Sequence, residues 1–504
     1  MLFHTPEFIF LFLPLALALH FALARWSVNA AIAGTTIFSL MFYAWWNPPF
    51  VLLPVLSIAG NFWLARLMIA AQRARARQLV IGGIIANLLV LCYFKYTGFL
   101  LSIFDGRPIG VPNVPLALSF TTFVQIAFLV YVYQRRPAVA FSRYALFVAF
   151  FPHLIAGPIV RWDRLGRQLN DSSLYHVDWN NVALGLTIFT LGLAKKVLIA
   201  SSLAPHVALV FDAAARSEPL TAIAAWGGAV AFSLQLLFDF SAYSEMAVGL
   251  GLLFNYRLPI NFAAPLRATN LFDLWRRWHV TLSRFLSEFI YMPLRRGHPG
   301  AWWGALCLVS TLVVSGLWHG ANWTFIIWGA IHGVGLLLNV VWRKLVGSDR
   351  FGVFGSVTGW FVTFTIFAAA IVFFRAADVT AAWWIVRAMA GLGNAPIAES
   401  YLAVDGWFVG SGLTSDVLLR TWFGAAWSIR ASLWTLGVLA LMLIVPDTME
   451  IVGYDEDDAR SNWRRPAGIL TWRPSLPAFG VIAILFALVF ASIGRVSEFL
   501  YYRF

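Results

Sequence analysis

Twelve apolar runs recur along this 504-residue chain, at 8–24, 30–46, 50–70, 79–101, 116–133, 182–203, 222–254, 302–318, 322–342, 357–374, 431–446 and 475–493. Most of them reach the length that crosses about 30 Å of hydrocarbon at about 1.5 Å per helical residue. In lipid each backbone N–H and C=O must find its partner inside the segment, so runs of this kind fold as helices. The expectation is an all-α polytopic membrane protein with about 11 to 13 helical crossings. The run 222–254 exceeds one crossing and is expected to be tilted, broken or partly interfacial. With 60% hydrophobic and only 12% charged residues, the composition excludes an ordinary soluble domain.

The opening MLFHTPEFIFLFLPLALALHF lacks the basic region of a signal peptide and reads as a retained first helix. The net charge of +13 does not point to nucleic acid, because the basic residues are dispersed between apolar runs. Arg73, Arg75 and Arg77 follow the third run, Arg135 and Arg136 the fifth, and Arg343 and Lys344 the run 322–342. The connections at 46–49 and 102–115 are nearly free of positive charge. By the positive-inside rule the basic loops are cytoplasmic and the N-terminus is outside.

The chain shows no internal repeat and no soluble domain, so one membrane-embedded domain over 1–504 is expected. Its weakly apolar stretches are 160–181, 255–284, 394–430 and 447–474, the last holding the acidic YDEDDAR at 454–460 and then WRRP. Two short apolar segments, FVAFFPHLIAGPIVRW (147–162) and FLSEFIYMPLRRG (285–297), are interrupted by Pro152, Pro158 and Pro293. Proline removes a backbone donor and breaks a helix. Broken backbone at membrane depth survives only inside protein or beside a water-filled cavity, so both segments read as re-entrant elements on the cytoplasmic side.

Polar residues inside apolar sequence need a reason. His319 stands between Gly316 and Gly320, which remove bulk where a ligand or a second backbone approaches. His279 follows a tryptophan in RRWH, as His319 does in GLWH. His332, 13 residues beyond His319, falls off its face on a continuous helix and reads as structural, although the GAN at 320–322 also offers a helix break. His153 either lines a cavity or bonds a carbonyl freed near Pro152 or Pro158. Asp239, Ser241, Tyr243, Ser244 and Glu245 crowd into LLFDFSAYSEMAVG (236–249), either as an internal network or as substrate contacts. Lys195 and Lys196 either snorkel to the interface or help to bind an anionic ligand. Cys92 and Cys307 read as buried small hydrophobes. No metal site is expected, since neither HExxH nor CxxC occurs, and neither a Walker A loop nor a GxSxG elbow is present.

DLWRRWHVTLSRFLSEFIYMPL (273–294) followed by SGLWHGANWTFIIWGAIHG (315–333) resembles the signature of the membrane-bound O-acyltransferases. The likeness is to the bacterial branch that holds the alginate O-acetyltransferase membrane subunit and the D-alanyl transfer protein of teichoic acid synthesis. SLMFYAWWNPPF (39–50), FVAFFPHLIAGPIVR (147–161), LGLAKKVLIA (191–200), LQLLFDFSAYSEMAVGL (234–250), VFFRA (372–376), PDTMEI (446–451) and SEFLYYRF (497–504) agree in order. The sequence departs from the pattern at LVYVYQ (129–134), where the family usually carries an aspartate, and at RRGHPG (295–300).

The resemblance implies a ring of tilted helices with re-entrant segments around a central funnel. The signature core lies at about 115–345 and further helices over 357–504. It implies His319 as general base and His279 as the second catalytic position, with Asp239, Tyr243, Asn322, Trp278, Trp318, His153, Arg276 and Arg277 as substrate-binding candidates. Acetyl-CoA is the implied donor, as a substrate rather than a resident cofactor, with Arg276, Arg277, Arg161 and Arg164 suited to its phosphates. An extracytoplasmic partner protein and a polysaccharide acceptor at a bacterial inner membrane complete the implied system. A transporter for a polyprenyl-linked sugar is the alternative reading of the broken helices and buried polar groups.

Overall fold

The computed structural model describes residues 2–105, 114–346, 352–393, 427–454, 472–495 and 500. Every regular element among them is a helix. Among the described residues eight helices are long and apolar enough to cross a membrane: Pro48–Ala70, Arg73–Ile103, Trp179–Ala215, Ala222–Leu253, Ala301–His319, Trp323–Leu345, Gly355–Arg375 and Ile429–Val452. Four shorter apolar helices, Phe8–Ala24, Val28–Ala44, Val379–Met389 and Leu476–Ala491, accompany them. The run 116–133 becomes the helix Leu118–Arg135, which is buried along most of its length and carries Thr122 and Gln125 inward. The acidic run beyond Tyr454, the WRRP that follows it, residues 394–426 and the terminal SEFLYYRF apart from Leu500 lie outside the described residues.

The chain divides into two compact units, each assembled from separated stretches. One comprises Met1–Ala194, Ser241–Asn261 and Thr448–Gly494; the other comprises Lys195–Phe240, Phe262–Asp447 and Arg495–Phe504. The long run at 222–254 forms one unbroken helix, Ala222–Leu253, that belongs to the second unit up to Phe240 and to the first from Ser241. Within its most apolar 18-residue window 78% of the positions are buried, against 17% for Arg73–Ile103. Its length is therefore absorbed by protein contacts rather than by lipid.

The first unit uses polar side chains to join membrane helices. Asn61 and Asn87 exchange amide hydrogen bonds at 2.8 and 3.2 Å, and Ser57 donates to Gln125 at 2.7 Å. These contacts tie Leu52–Ala70, Arg73–Asp105 and Leu118–Arg135 together. Such bonds hold helices where lipid supplies no hydrophobic drive between them. Proline-broken segment 147–162 folds as the end of Phe141–Ala149, the single turn Phe151–Leu154 and coil, and it is buried nearly throughout. Pro152 sits in the first turn, where its missing N–H costs nothing.

In the second unit Ala301–His319 and Trp323–Val346 form an antiparallel hairpin. A Cβ on Gly316 would strike the Phe325 carbonyl, one on Gly329 the Leu312 carbonyl, and one on Gly333 the Val309 Cα. The glycines set the spacing of this pair: only side chains without Cβ let the two backbones come so close.

Candidate active site

His319 is the last residue of Ala301–His319 and is 5% exposed. The helix must stop there, because the Asn322 side chain accepts from the Thr324 N–H at 3.1 Å and so starts the next helix. Its imidazole is boxed by Trp318, Trp328 and Phe374, with ring centroids 4.8, 5.2 and 5.0 Å away. The flanking glycines serve the fold: Gly316 admits the backbone of the returning helix and Gly320 the Phe325 ring.

His279 lies between the short helices Leu271–Arg277 and Val280–Leu286, in the left-handed region at φ +43°. A non-glycine residue there costs about 1–2 kcal/mol, which persists only where the surroundings fix it. The surroundings are Phe240 at 4.8 Å, edge to face, Phe262 at 6.2 Å and Trp318 at 6.2 Å. Ser283 N–H donates to the His279 carbonyl at 2.9 Å and Ser283 Oγ–H to the Trp278 carbonyl at 3.2 Å, which closes the turn. Burial pushes the His279 imidazole down from 6.5 to about 3, so it is neutral near pH 7. Trp318 thus bridges the two histidines, touching His279 on one side and His319 on the other.

Most of the remaining candidates have local partners. Trp278 packs on Phe262 and Phe367, beside His279. Asp239 accepts from Lys196 Nζ at 2.6 Å and from the Leu500 N–H at 2.9 Å, all buried. Lys196 therefore does not snorkel; it sits in the π-helical turn Lys195–Ala200 and is 2% exposed. Arg277 pairs with Asp273 at 2.9 Å, whereas Arg276 is exposed. Tyr243 and His153 belong to the other unit. Tyr243 stacks on Phe3 at 4.6 Å, and burial holds His153 at about 4, against a hydrogen bond to the Phe147 carbonyl that raises it.

Sequence reasoning missed the far side of this cluster. His332 does not lie off the His319 face of one helix, because the chain reverses at 320–322 and brings it back. Trp328 contacts His319 at 5.2 Å and His332 at 4.9 Å, and Trp275 closes on both Trp328 and His332. One signal was available: Trp328 and His332 are i, i+4 neighbours on Trp323–Val346, and such pairs share a helix face. Among the described residues no group of three or more His, Cys, Asp or Glu side chains can hold a metal ion.

The fold and this cluster define a polytopic helical membrane protein with two histidines buried among aromatic rings. The family model of the membrane-bound O-acyltransferases matches residues 64–376. Over its full length the chain is 34% identical to the peptidoglycan O-acetyltransferase of Helicobacter pylori, covering 98% of that protein. It is 33% identical to the probable alginate O-acetylase AlgI of Pseudomonas aeruginosa, with both chains covered completely. A teichoic acid D-alanyltransferase of Streptococcus thermophilus is 25% identical over 47% of this chain and 60% of its own. The chain belongs to the membrane-bound O-acyltransferase family and is an acyltransferase.

Proposed function

We propose that this protein takes an acetyl group from cytoplasmic acetyl-CoA and passes it to a hydroxyl group on a partner at the outer face, for O-acetylation of a polysaccharide. His319 is the general base. It removes the proton of the acceptor hydroxyl as the oxygen attacks the thioester carbonyl carbon, and it returns that proton to the CoA thiolate as it leaves. The observation that carries this reading is His319 itself, a buried imidazole ending a helix in an aromatic box. General-base work needs the imidazole in its neutral, proton-accepting form. Such proton transfer typically contributes about 10²–10⁴-fold.

His279, neutral and one ring from His319, orients the acyl donor together with Trp278 and Trp318. Arg276, exposed at the end of Leu271–Arg277, suits the CoA phosphates, and Arg277 reaches them only by leaving Asp273. Tyr243 and Asn322 are weaker candidates for substrate contact, because Tyr243 stacks on Phe3 and Asn322 caps a helix, and His153 stands beside them as a further candidate. Asp239 supports the site through its ion pair. The names of the two full-length relatives, a peptidoglycan O-acetyltransferase and an alginate O-acetylase, favour a polysaccharide as the final acceptor. The positive-inside pattern favours cytoplasmic basic loops with the N-terminus outside, and the relatives in Helicobacter and Pseudomonas favour a bacterial inner membrane.

The test is CoA release from acetyl-CoA by protein in nanodiscs, with membranes that contain the partner and acceptor. His319→Ala should remove turnover while the protein stays monodisperse. Full turnover in a folded His319→Ala protein would exclude it as the base.

A further inference from the structure

The Nε1 atoms of Trp275 and Trp328 and both ring nitrogens of His332 are buried and bond to no described residue. These four atoms belong to three rings in mutual contact. Trp275 and Trp328 centroids are 5.9 Å apart, Trp275 and His332 5.4 Å, and Trp328 and His332 4.9 Å. His332 is 1% exposed and Trp328 2%. Each unsatisfied buried polar group costs about 1–3 kcal/mol, and folded proteins seldom keep several side by side without use.

An indole nitrogen only donates, and a neutral imidazole keeps one N–H in either tautomer. The cluster therefore carries three N–H donors and one lone pair. A set so rich in donors suits an oxygen that gathers negative charge. It also lies one ring from the candidate base, since Trp328 touches both His332 and His319.

We propose that Trp275, Trp328 and His332 bind the acyl oxygen of the thioester and stabilise it as it becomes an oxyanion. The inference rests on the acyltransfer reading above and adds the electrophilic half of the site. The acceptor oxygen bonds to the carbonyl carbon while its proton passes to His319. The carbonyl π pair moves onto the acyl oxygen, where the indole and imidazole N–H groups receive it. That pair then re-forms the C=O bond, the C–S bond breaks, and the CoA thiolate takes the proton from His319. Donors placed where charge develops lower the barrier without tightening ground-state binding.

The experiment compares Trp275→Phe, Trp328→Phe and His332→Phe with wild type and His319→Ala in nanodiscs, using acetyl-CoA and acceptor membranes. Each Phe variant keeps a ring and loses the N–H. The expected result is a fall in kcat of roughly 10- to 10³-fold per donor, with KM for acetyl-CoA within about threefold of wild type. An unchanged kcat with a lowered melting temperature would overturn the proposal and leave the cluster holding a buried water. A raised KM with kcat intact would also overturn it. If Trp328→Phe fails to fold, Trp275→Phe decides, because its ring is only half-buried. Failure of the acyltransfer reading looks different: wild type itself releases no CoA, and this assignment falls with it.

Discussion

Lys196 Nζ lies 2.6 Å from Asp239 Oδ1, with 3% and 2% of the two side chains exposed. The remaining carboxylate oxygen of Asp239 accepts from the Leu500 N–H. One carboxylate thus joins the π-helical turn at Lys195–Ala200, the long helix Ala222–Leu253 and the end of the chain. Two charges removed from water are tolerable only together, so they act as a pair.

Breaking the pair from one side should cost more than removing it. Lys196→Met leaves a buried carboxylate with one donor and is expected to destabilise the protein by about 3–5 kcal/mol. Lys196→Met with Asp239→Leu should recover much of that loss, because no uncompensated charge remains. Thermal unfolding of both variants in the same detergent measures the difference. A double variant no more stable than the single one would show that the pair does not account for the loss.

The hairpin glycines offer a backbone test. Gly316→Ala would drive a methyl into the Phe325 carbonyl, so the helices Ala301–His319 and Trp323–Val346 must part. Backbone cannot rotate away as a side chain can, and overpacking of this kind costs about 1–3 kcal/mol or more. Gly437→Ala, on the helix Ile429–Ile444, meets nothing within 4 Å and should be neutral or slightly stabilising. Yield of monodisperse protein and melting temperature separate the two; equal behaviour would sink the close-packing account.

His279 combines a strained backbone with a buried ring. His279→Asn keeps a residue that tolerates the left-handed region, whereas His279→Val places a β-branched side chain there. The Asn variant is expected to fold with greatly reduced turnover, and the Val variant to be less stable by a further 1–2 kcal/mol or so. Circular dichroism melts alongside CoA release provide both readouts. A Val variant as stable as Asn would mean that the turn relaxes freely.

Acid should loosen the folded state. The imidazoles of His153 and His279 lie at about 4 and about 3 when folded, against 6.5 when exposed. Above pH 6.5 both states are neutral and nothing is lost. Below it the unfolded chain takes up protons that the folded chain refuses, so stability declines as pH falls from 6.5 toward 4 and then 3. At pH 5.5 the loss is on the order of 1 kcal/mol per histidine. Melting temperature between pH 7.5 and 5.5 measures it, and His153→Phe should flatten the slope. A slope unaffected by His153→Phe would exclude this residue as a source.

Much of the fold follows from sequence because the bilayer allows so little choice. Apolar runs of spanning length must become helices, and those at 50–70, 302–318 and 322–342 return within a few residues of the expected bounds. His319 stood out for a similar reason, because a polar residue in apolar sequence is rare, whereas His279 stood out only by repeating the WH pair. The division into two interleaved units was not legible, since contacts between distant stretches leave no periodic trace. Nor was the partner of Asp239, which comes from Lys196, 43 positions away.

His332 shows where the boundary falls. Sequence alone determined that it sits in a membrane helix, and helical geometry placed it away from His319 only if one helix ran on through the GAN at 320–322. Tertiary structure decided otherwise, because the chain breaks at 320–322 and the glycines at 316, 329 and 333 let the returning helix come back against the first. Local sequence fixes which residues share a face of one helix. Which faces then meet is set by how closely two backbones can approach, and only the packed structure reveals that.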